Sequence, residues 1–361
     1  MTSLPGDLAL RLTKLFTKEE MMEVESAFKQ IKRPPSFRVN TLKASLKNIK
    51  NILDKAHINY ELYSLLPNCI ILKSSGDEIK LRSLDIYKNG NIYMQSISSQ
   101  IPVGYFENKS MDSKEPRLKI LDTCAAPGGK TSQLAAIYPE AEIWAFEPSK
   151  IRYERMKYNF KKLGVSTCDK HSLLKPLPFL GKGATVICIN DKIENLERYL
   201  QTYPPLQKEG GTLEYFDMIL IDAPCSGEGG LSYHNTSFLE NWSLSYIKKN
   251  YARQKAICDA VLPFLKTEGE MIYSTCTLAP EENEAVIHYL LCKYQNLNLE
   301  KLDFIENKYI KYKLGLKSFG RYIFRKEISE RTLRVIPSKY SEGFYIAKLK
   351  KGGHHGINDL K

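Results

Sequence analysis

Between Leu118 and Thr131 the chain reads LKILDTCAAPGGKT. The run leaves a short apolar strand, turns through Pro127, Gly128 and Gly129, and opens a helix, a geometry that lets backbone approach a bound ligand closely. Its spacing matches neither the GxGxxG dinucleotide turn nor a P-loop. Four further runs repeat the strand pattern downstream: EIWAFE from Glu142, ATVICIND from Ala184, FDMILIDAP from Phe216 and EMIYSTCT from Glu270. Amphipathic helical stretches separate them, so the expected fold class is α/β, a Rossmann-like parallel sheet wrapped on both faces by helices. Such sheets bind ligands at the carboxyl ends of their strands. Each run ends there in a polar or reactive residue: Asp122 and Cys124, Glu147, Asp191, Asp222 and Cys225, and Cys276.

Working outward, Leu8 to Ile31 carries apolar residues at helical spacing, and Thr17 with Glu20 forms a capping box that starts a second helix. Ser36 to Leu42 alternates Phe37 and Val39 with Arg38 and Asn40, which predicts a half-buried strand with a polar face. An amphipathic helix on Leu46, Ile49, Ile52 and Leu53 follows. These elements predict a small α+β domain over residues 1–106. ENKSMDSKEPR reads as a linker over 107–117, a catalytic domain extends over 118–351, and 352–361 reads as a flexible tail. Thr332 to Ile336 and Gly343 to Leu349 read as two strands joined by a turn containing Pro337.

Lysine and arginine outnumber aspartate and glutamate by 53 to 41, a formal charge of +12 that favours a polyanionic partner through phosphate neutralisation. Eight cysteines occur without a CxxC pair or zinc-finger spacing, which predicts a reducing cytoplasm and no metal. The opening MTSLPGDLAL has no basic stretch before an apolar region, and no run is long enough for a membrane span. The expectation is a cytoplasmic monomer with no membrane partner.

Free cysteine usually behaves as a small buried hydrophobe. Cys225, between Pro224 and Ser226 in DAPCSGEG, and Cys276, between two threonines in YSTCTLAPEENE, instead follow strands at the ligand edge. Together with DTCAAPGGKT, FRVNTLK from Phe37 and RVIPSKYSEGFYIAKLKK from Arg334, these runs give the chain a resemblance to a known family. It resembles the RNA cytosine-5 methyltransferases of the Nop2/NSUN and bacterial RsmB/RsmF type, from about Leu4 to about Lys351. The resemblance implies a class I methyltransferase sheet with an amino-terminal RNA-recognition domain, acting on ribosomal or transfer RNA. It implies S-adenosyl-L-methionine binding by Cys124, Ala125, Ala126, Pro127, Gly128, Gly129 and Lys130, with Glu147 on the ribose and Arg152 in support. Asp191 takes the position of the acid that reaches the adenine, with Asp169 competing for it. Asp222 takes that of the aspartate beside cofactor and target cytosine.

Carbon 5 of cytosine is too weak a nucleophile to take a methyl group unaided; a thiolate adding at carbon 6 makes an enamine that can. The carbon 5 proton must then leave so that the adduct collapses. By resemblance Cys276 is the nucleophile and Cys225 the release residue, whereas the DNA enzymes use the Pro-Cys cysteine, which makes Cys225 the competing nucleophile. Glu281, Glu282, Asn283 and Glu284 read either as a cluster at a helix start or as part of the catalytic apparatus. Arg33, Arg38, Lys43 and Lys47, with Arg321, Arg325, Lys326 and Arg331, are candidate phosphate contacts. A methyltransferase of another substrate class and a non-catalytic RNA-binding assembly factor are the rival readings.

Overall fold

A computed structural model of the chain describes residues 4–106, 117–169, 184–202, 214–304 and 307–353. The linker at 107–116 and the tail from 354 lie outside the described residues.

Four short strands, β1 (Ser36–Val39), β2 (Tyr60–Leu62), β3 (Cys69–Leu72) and β4 (Ile92–Met94), form an antiparallel sheet in the order β2-β3-β1-β4. Phe37, Val39, Ile70 and Leu72 pack with Ile49 and Leu53 of the helix Leu46–Lys55 in an apolar cluster of their own. The opposite face of β1 departs from expectation. Arg38 is only 4% exposed, because the helix Gly129–Ile137 covers it. Its guanidinium donates to Ser132 Oγ at 2.9 Å and to the Gly129 carbonyl at 3.4 Å, and burial lowers its pKa to about 10. The alternating polar positions of β1 therefore mark a seam between two sheets and not a solvated face.

The opening helices, Gly6–Leu15 and Lys18–Lys29, are joined by the expected capping box, with both reciprocal bonds made between Thr17 and Glu20. Leu8, Leu12, Val24 and Phe28 share the apolar cluster of the large sheet.

That sheet has ten strands. They are β5 (Lys119–Asp122), β6 (Glu142–Phe146), β7 (Ser166–Asp169), β8 (Thr185–Ile189), β9 (Phe216–Asp222), β10 (Leu265–Thr275), β11 (Leu297–Glu300), β12 (Lys311–Leu314), β15 (Leu333–Ile336) and β16 (Phe344–Lys351). The pair β13 (Ser318–Phe319) and β14 (Tyr322–Ile323) stands apart. The order is β12-β15-β16-β10-β9-β5-β6-β8-β7, with β11 on β16. From β10 to β7 all neighbours are parallel. β16, β15 and β12 extend the parallel core antiparallel, with β15 and β16 the two strands expected on either side of Pro337. The short turn between β15 and β16 permits only antiparallel pairing.

Side chains alternate between the two faces of this sheet with the period of two that strands impose. Leu121, Trp144, Phe146, Ile219, Ile221 and Tyr273 face one core with the helices Leu244–Val261 and Glu284–Lys293. Ile120, Ile143, Ala145, Met218, Leu220 and Ile272 face the other, with Leu134, Met156 and Phe160 of the helices Gly129–Ile137 and Lys150–Leu163. Both faces are dry, which is why the runs are continuously apolar and end in polar residues only at the rim.

Candidate active site

The carboxyl ends of β5, β9 and β10 lie side by side and bring their terminal residues together. Asp222 pairs in register with Ser274 on β10, and its Oδ1 accepts from Ser274 Oγ at 2.9 Å. Its Oδ2 accepts from Lys130 Nζ at 2.7 Å, and the same ammonium donates to Ser99 Oγ at 2.8 Å. Asp122, 1% exposed, accepts from Thr131 Oγ1 at 2.7 Å; burial pushes its pKa up to about 6. Gly128 begins the helix with φ of +100°, and a Cβ there would meet the Phe160 ring at 2.8 Å, so the turn requires glycine on both counts.

These groups surround a cavity of about 210 Å³. One wall is Cys124, Ala125, Ala126, Pro127, Gly129 and Lys130 with Asp122 and Asp222; the other is Tyr93 to Ser96 and Ser99, from the end of the small sheet. Glu147, Arg152, Asp191 and both candidate nucleophiles stand outside its lining.

Cys225 Sγ lies 3.3 Å from Cys276 Sγ. Two contacts stitch their loops together: Gly229 N–H donates to the Cys276 carbonyl at 2.9 Å, and the Ser226 and Thr277 hydroxyls lie 2.6 Å apart. The hydrogen bond with Cys276, then burial, push the Cys225 pKa well above the ordinary thiol range, and charge on Glu282 adds to this. Burial also raises the thiols of Cys69, Cys124 and Cys188 to about 12, leaving them unreactive.

At the next strand end, Glu147 is 1% exposed and its Oε1 accepts from Ser149 N–H at 2.8 Å. Its Oε2 is buried, makes no hydrogen bond, and has Arg152 Nη1 at 3.3 Å. Arg152 also donates to the Ala126 carbonyl at 2.6 Å, tying the glycine turn to the β6 end. Asp191 follows β8, whose Ile189 is in register with Phe146 beside Glu147. Its carboxylate accepts from Lys192 N–H, Asn195 and Tyr199. Asp169 ends β7, one strand further out, and pairs with Lys157 at 2.9 Å.

Several sequence expectations are corrected. Arg38 is buried in the seam and so is not a solvated phosphate contact, while the exposed Lys43 donates to the Asn89 and Lys162 carbonyls. Arg33, Arg325 and Arg331 likewise donate to the carbonyls of Ser338, Leu291 and Leu299, and Lys326 pairs with Glu330. Lys47 and Arg321 are exposed. The acidic cluster is no helix-start cap: the helix begins only at Glu284, and each member reaches a different part of the fold. Glu281 pairs with Arg11, Glu282 with Ser226 N–H and Gln254, Asn283 with Thr275, and Glu284 with Arg334. Ser99, Ser274 and Gln254 were not singled out as site residues by sequence reasoning. Only Ser274 carried a signal, its place two residues before Cys276. Among the described residues no group of His, Cys, Asp and Glu could hold a metal ion, and no helix is long and apolar enough to cross a membrane.

A family model described as 16S rRNA methyltransferase RsmB/F matches residues 110–350. A ribosomal RNA small subunit methyltransferase F from Shewanella piezotolerans is 29% identical over 319 residues, 88% of this chain and 57% of that protein. The chain therefore spans less than two thirds of that relative's length. A tRNA (cytosine(49)-C(5))-methyltransferase from Pyrococcus abyssi is 32% identical over 332 residues, 88% of each chain. The crystal structure of a methyltransferase homolog protein from Pyrococcus horikoshii matches with a TM-score of 0.69 at 25% identity, covering 96% of this chain and 100% of that one.

Proposed function

The chain belongs to the 16S rRNA methyltransferase RsmB/F family, and from that premise we propose that it methylates carbon 5 of a cytosine in ribosomal or transfer RNA, with S-adenosylmethionine as donor. The residues present fit that donor. Glu147 Oε2 is a buried oxygen without a hydrogen bond, suited to ribose hydroxyls, and the Arg152 guanidinium, at 3.3 Å from it, holds the carboxylate beside the site. Residues Cys124 to Gly129 and Asp222 supply the walls for the amino-acid portion, and Asp191, on the strand next to Glu147, is better placed for the adenine than Asp169. When bound, the donor supplies a methyl group on a positively charged sulfur. Lys130, assigned to the donor by resemblance, acts here by fixing Asp222, which orients the target base.

One observation carries the mechanism: the sulfur atoms of Cys225 and Cys276 lie in contact at the strand ends. The Cys276 sulfur forms a bond to carbon 6, and the carbon 5–carbon 6 electron pair becomes the nucleophile that takes the methyl group. The carbon 5 proton then leaves to a base, its electron pair restores the double bond, and the carbon–sulfur bond breaks to return the Cys276 thiolate. Once Cys276 is bonded to carbon its hydrogen bond with Cys225, the largest cause raising the Cys225 pKa, is lost. Cys225 is thereby freed to assist release.

The test is methyl transfer from labelled donor to RNA, followed by bisulfite sequencing of the product. Cys276→Ala should abolish transfer and leave RNA binding intact. Label on protein instead of RNA would overturn the reading, as would RNA binding by the wild-type chain with no transfer, the behaviour of an assembly factor.

A further inference from the structure

Behind the Cys225 loop, two side chains with no exposure to solvent grip the backbone on either side of the cysteine. Gln254, on the helix Leu244–Val261, donates its amide to the Pro224 carbonyl at 2.9 Å and to Glu282 Oε2 at 2.8 Å. Glu282 in turn accepts from Ser226 N–H at 3.0 Å on Oε2 and 3.3 Å on Oε1. The residues before and after Cys225 are thus closed into one ring of hydrogen bonds. A third tie, between the hydroxyls of Ser226 and Thr277, carries the ring's position to the Cys276 loop.

The ring is an unusual thing to bury. Glu282 has no cationic partner among its hydrogen bonds, and burial pushes its pKa up to about 7. A carboxyl held by neutral donors in the interior costs stability relative to an apolar pair of similar volume. What it provides is a fixed position for one short stretch of backbone. Neither residue lines the donor cavity, and neither reaches Asp222 or Lys130 through a hydrogen bond.

We propose that Gln254 and Glu282 are positioning residues for Cys225, holding its sulfur against Cys276 so that release of the RNA adduct, and not methyl transfer, depends on them. This rests on the release role given to Cys225 above. Displacement of a reacting group by about 1 Å costs on the order of 100-fold in rate, and losing either side of the ring removes a hydrogen bond that fixes the backbone next to Cys225.

The experiment compares the wild type with Cys225→Ala, Gln254→Ala, Glu282→Gln and Glu282→Leu. Each is assayed on unmodified RNA for single-turnover methyl transfer, multiple turnover and RNA–protein complex that survives denaturation. Cys225→Ala should accumulate the adduct. Gln254→Ala and Glu282→Leu should also accumulate it, about tenfold or more above wild type, with multiple turnover falling in parallel and single-turnover transfer within about threefold. Glu282→Gln keeps an oxygen for Ser226 N–H but turns an amide toward Gln254, so it should fall between wild type and Glu282→Leu. A merely structural role would lower transfer and adduct together. That result, or adduct in Cys225→Ala but in neither the Gln254 nor the Glu282 variants, overturns the inference. Absence of adduct in Cys225→Ala removes the release role itself, and the inference with it.

Discussion

Cys225 and Cys276 reach sulfur contact at 3.3 Å because the backbone between their loops has no room to separate them. Gly229 shows this most sharply: a Cβ built there would lie 1.9 Å from the Gly343 carbonyl oxygen and 2.8 Å from that of Cys276. Gly229→Ala must therefore push the Cys276 loop away. We expect kcat to fall by about 100-fold while donor binding, measured by calorimetry, stays near wild type; unchanged kcat would show that the close approach is dispensable. At this scale the sequence was half informative. Both cysteines, Asp222 and the glycine turn stood out because their runs leave strands at the rim. Gln254 did not, and Glu282 was noticed only as one of an acidic run, since their side-chain partners lie 28 or more positions away and no local pattern records such contacts.

At the scale of elements, the antiparallel extension is fastened by buried ion pairs, Lys348 with Glu270 between β16 and β10 and Arg334 with Glu284. Arg334 on β15, 4% exposed, makes a two-pronged ion pair with Glu284, the first residue of the helix Glu284–Lys293, and donates to the Leu278 carbonyl at 2.9 Å. Removing one partner leaves the other as a buried uncompensated charge. Arg334→Ala should cost about 3–5 kcal/mol in urea unfolding; a loss under about 1 kcal/mol would mean that water reaches Glu284. The five main strands were legible because both of their faces are dry. β7 was not, because it is an edge strand of sequence STCD with alternate residues exposed, and it carries no apolar run. β1 misled for a related reason: alternation reports two unlike surroundings, and here the polar one is another sheet's helix and not water.

Across the whole molecule, the cavity at the strand ends is split between two sheets held at a fixed seam by Arg38, by Asn40, which donates to the Gly90 and Leu163 carbonyls, and by Lys43. Buried acids behind this seam link stability to pH. Burial raises Glu282 from 4.5 to about 7, so the folded chain holds a proton there that the unfolded chain has lost. The stability this contributes is fully present below the unfolded-state pKa and disappears as pH rises through the folded-state value. Asp122, raised to about 6, adds to the trend. Between about pH 5 and about pH 8 the wild type should lose more thermal stability than Glu282→Gln, whose side chain does not titrate; equal slopes would contradict the buried acid.

The covalent role proposed for Cys276 is open to direct measurement. RNA carrying 5-fluorocytosine presents fluorine where a proton must leave, so the adduct forms, is methylated and cannot collapse. Mass spectrometry of the digested complex should find the nucleotide on the peptide containing Cys276, and none on the peptide containing Cys225. Nucleotide mass on Cys225, or a methylated product with no protein adduct at all, would contradict the assignment.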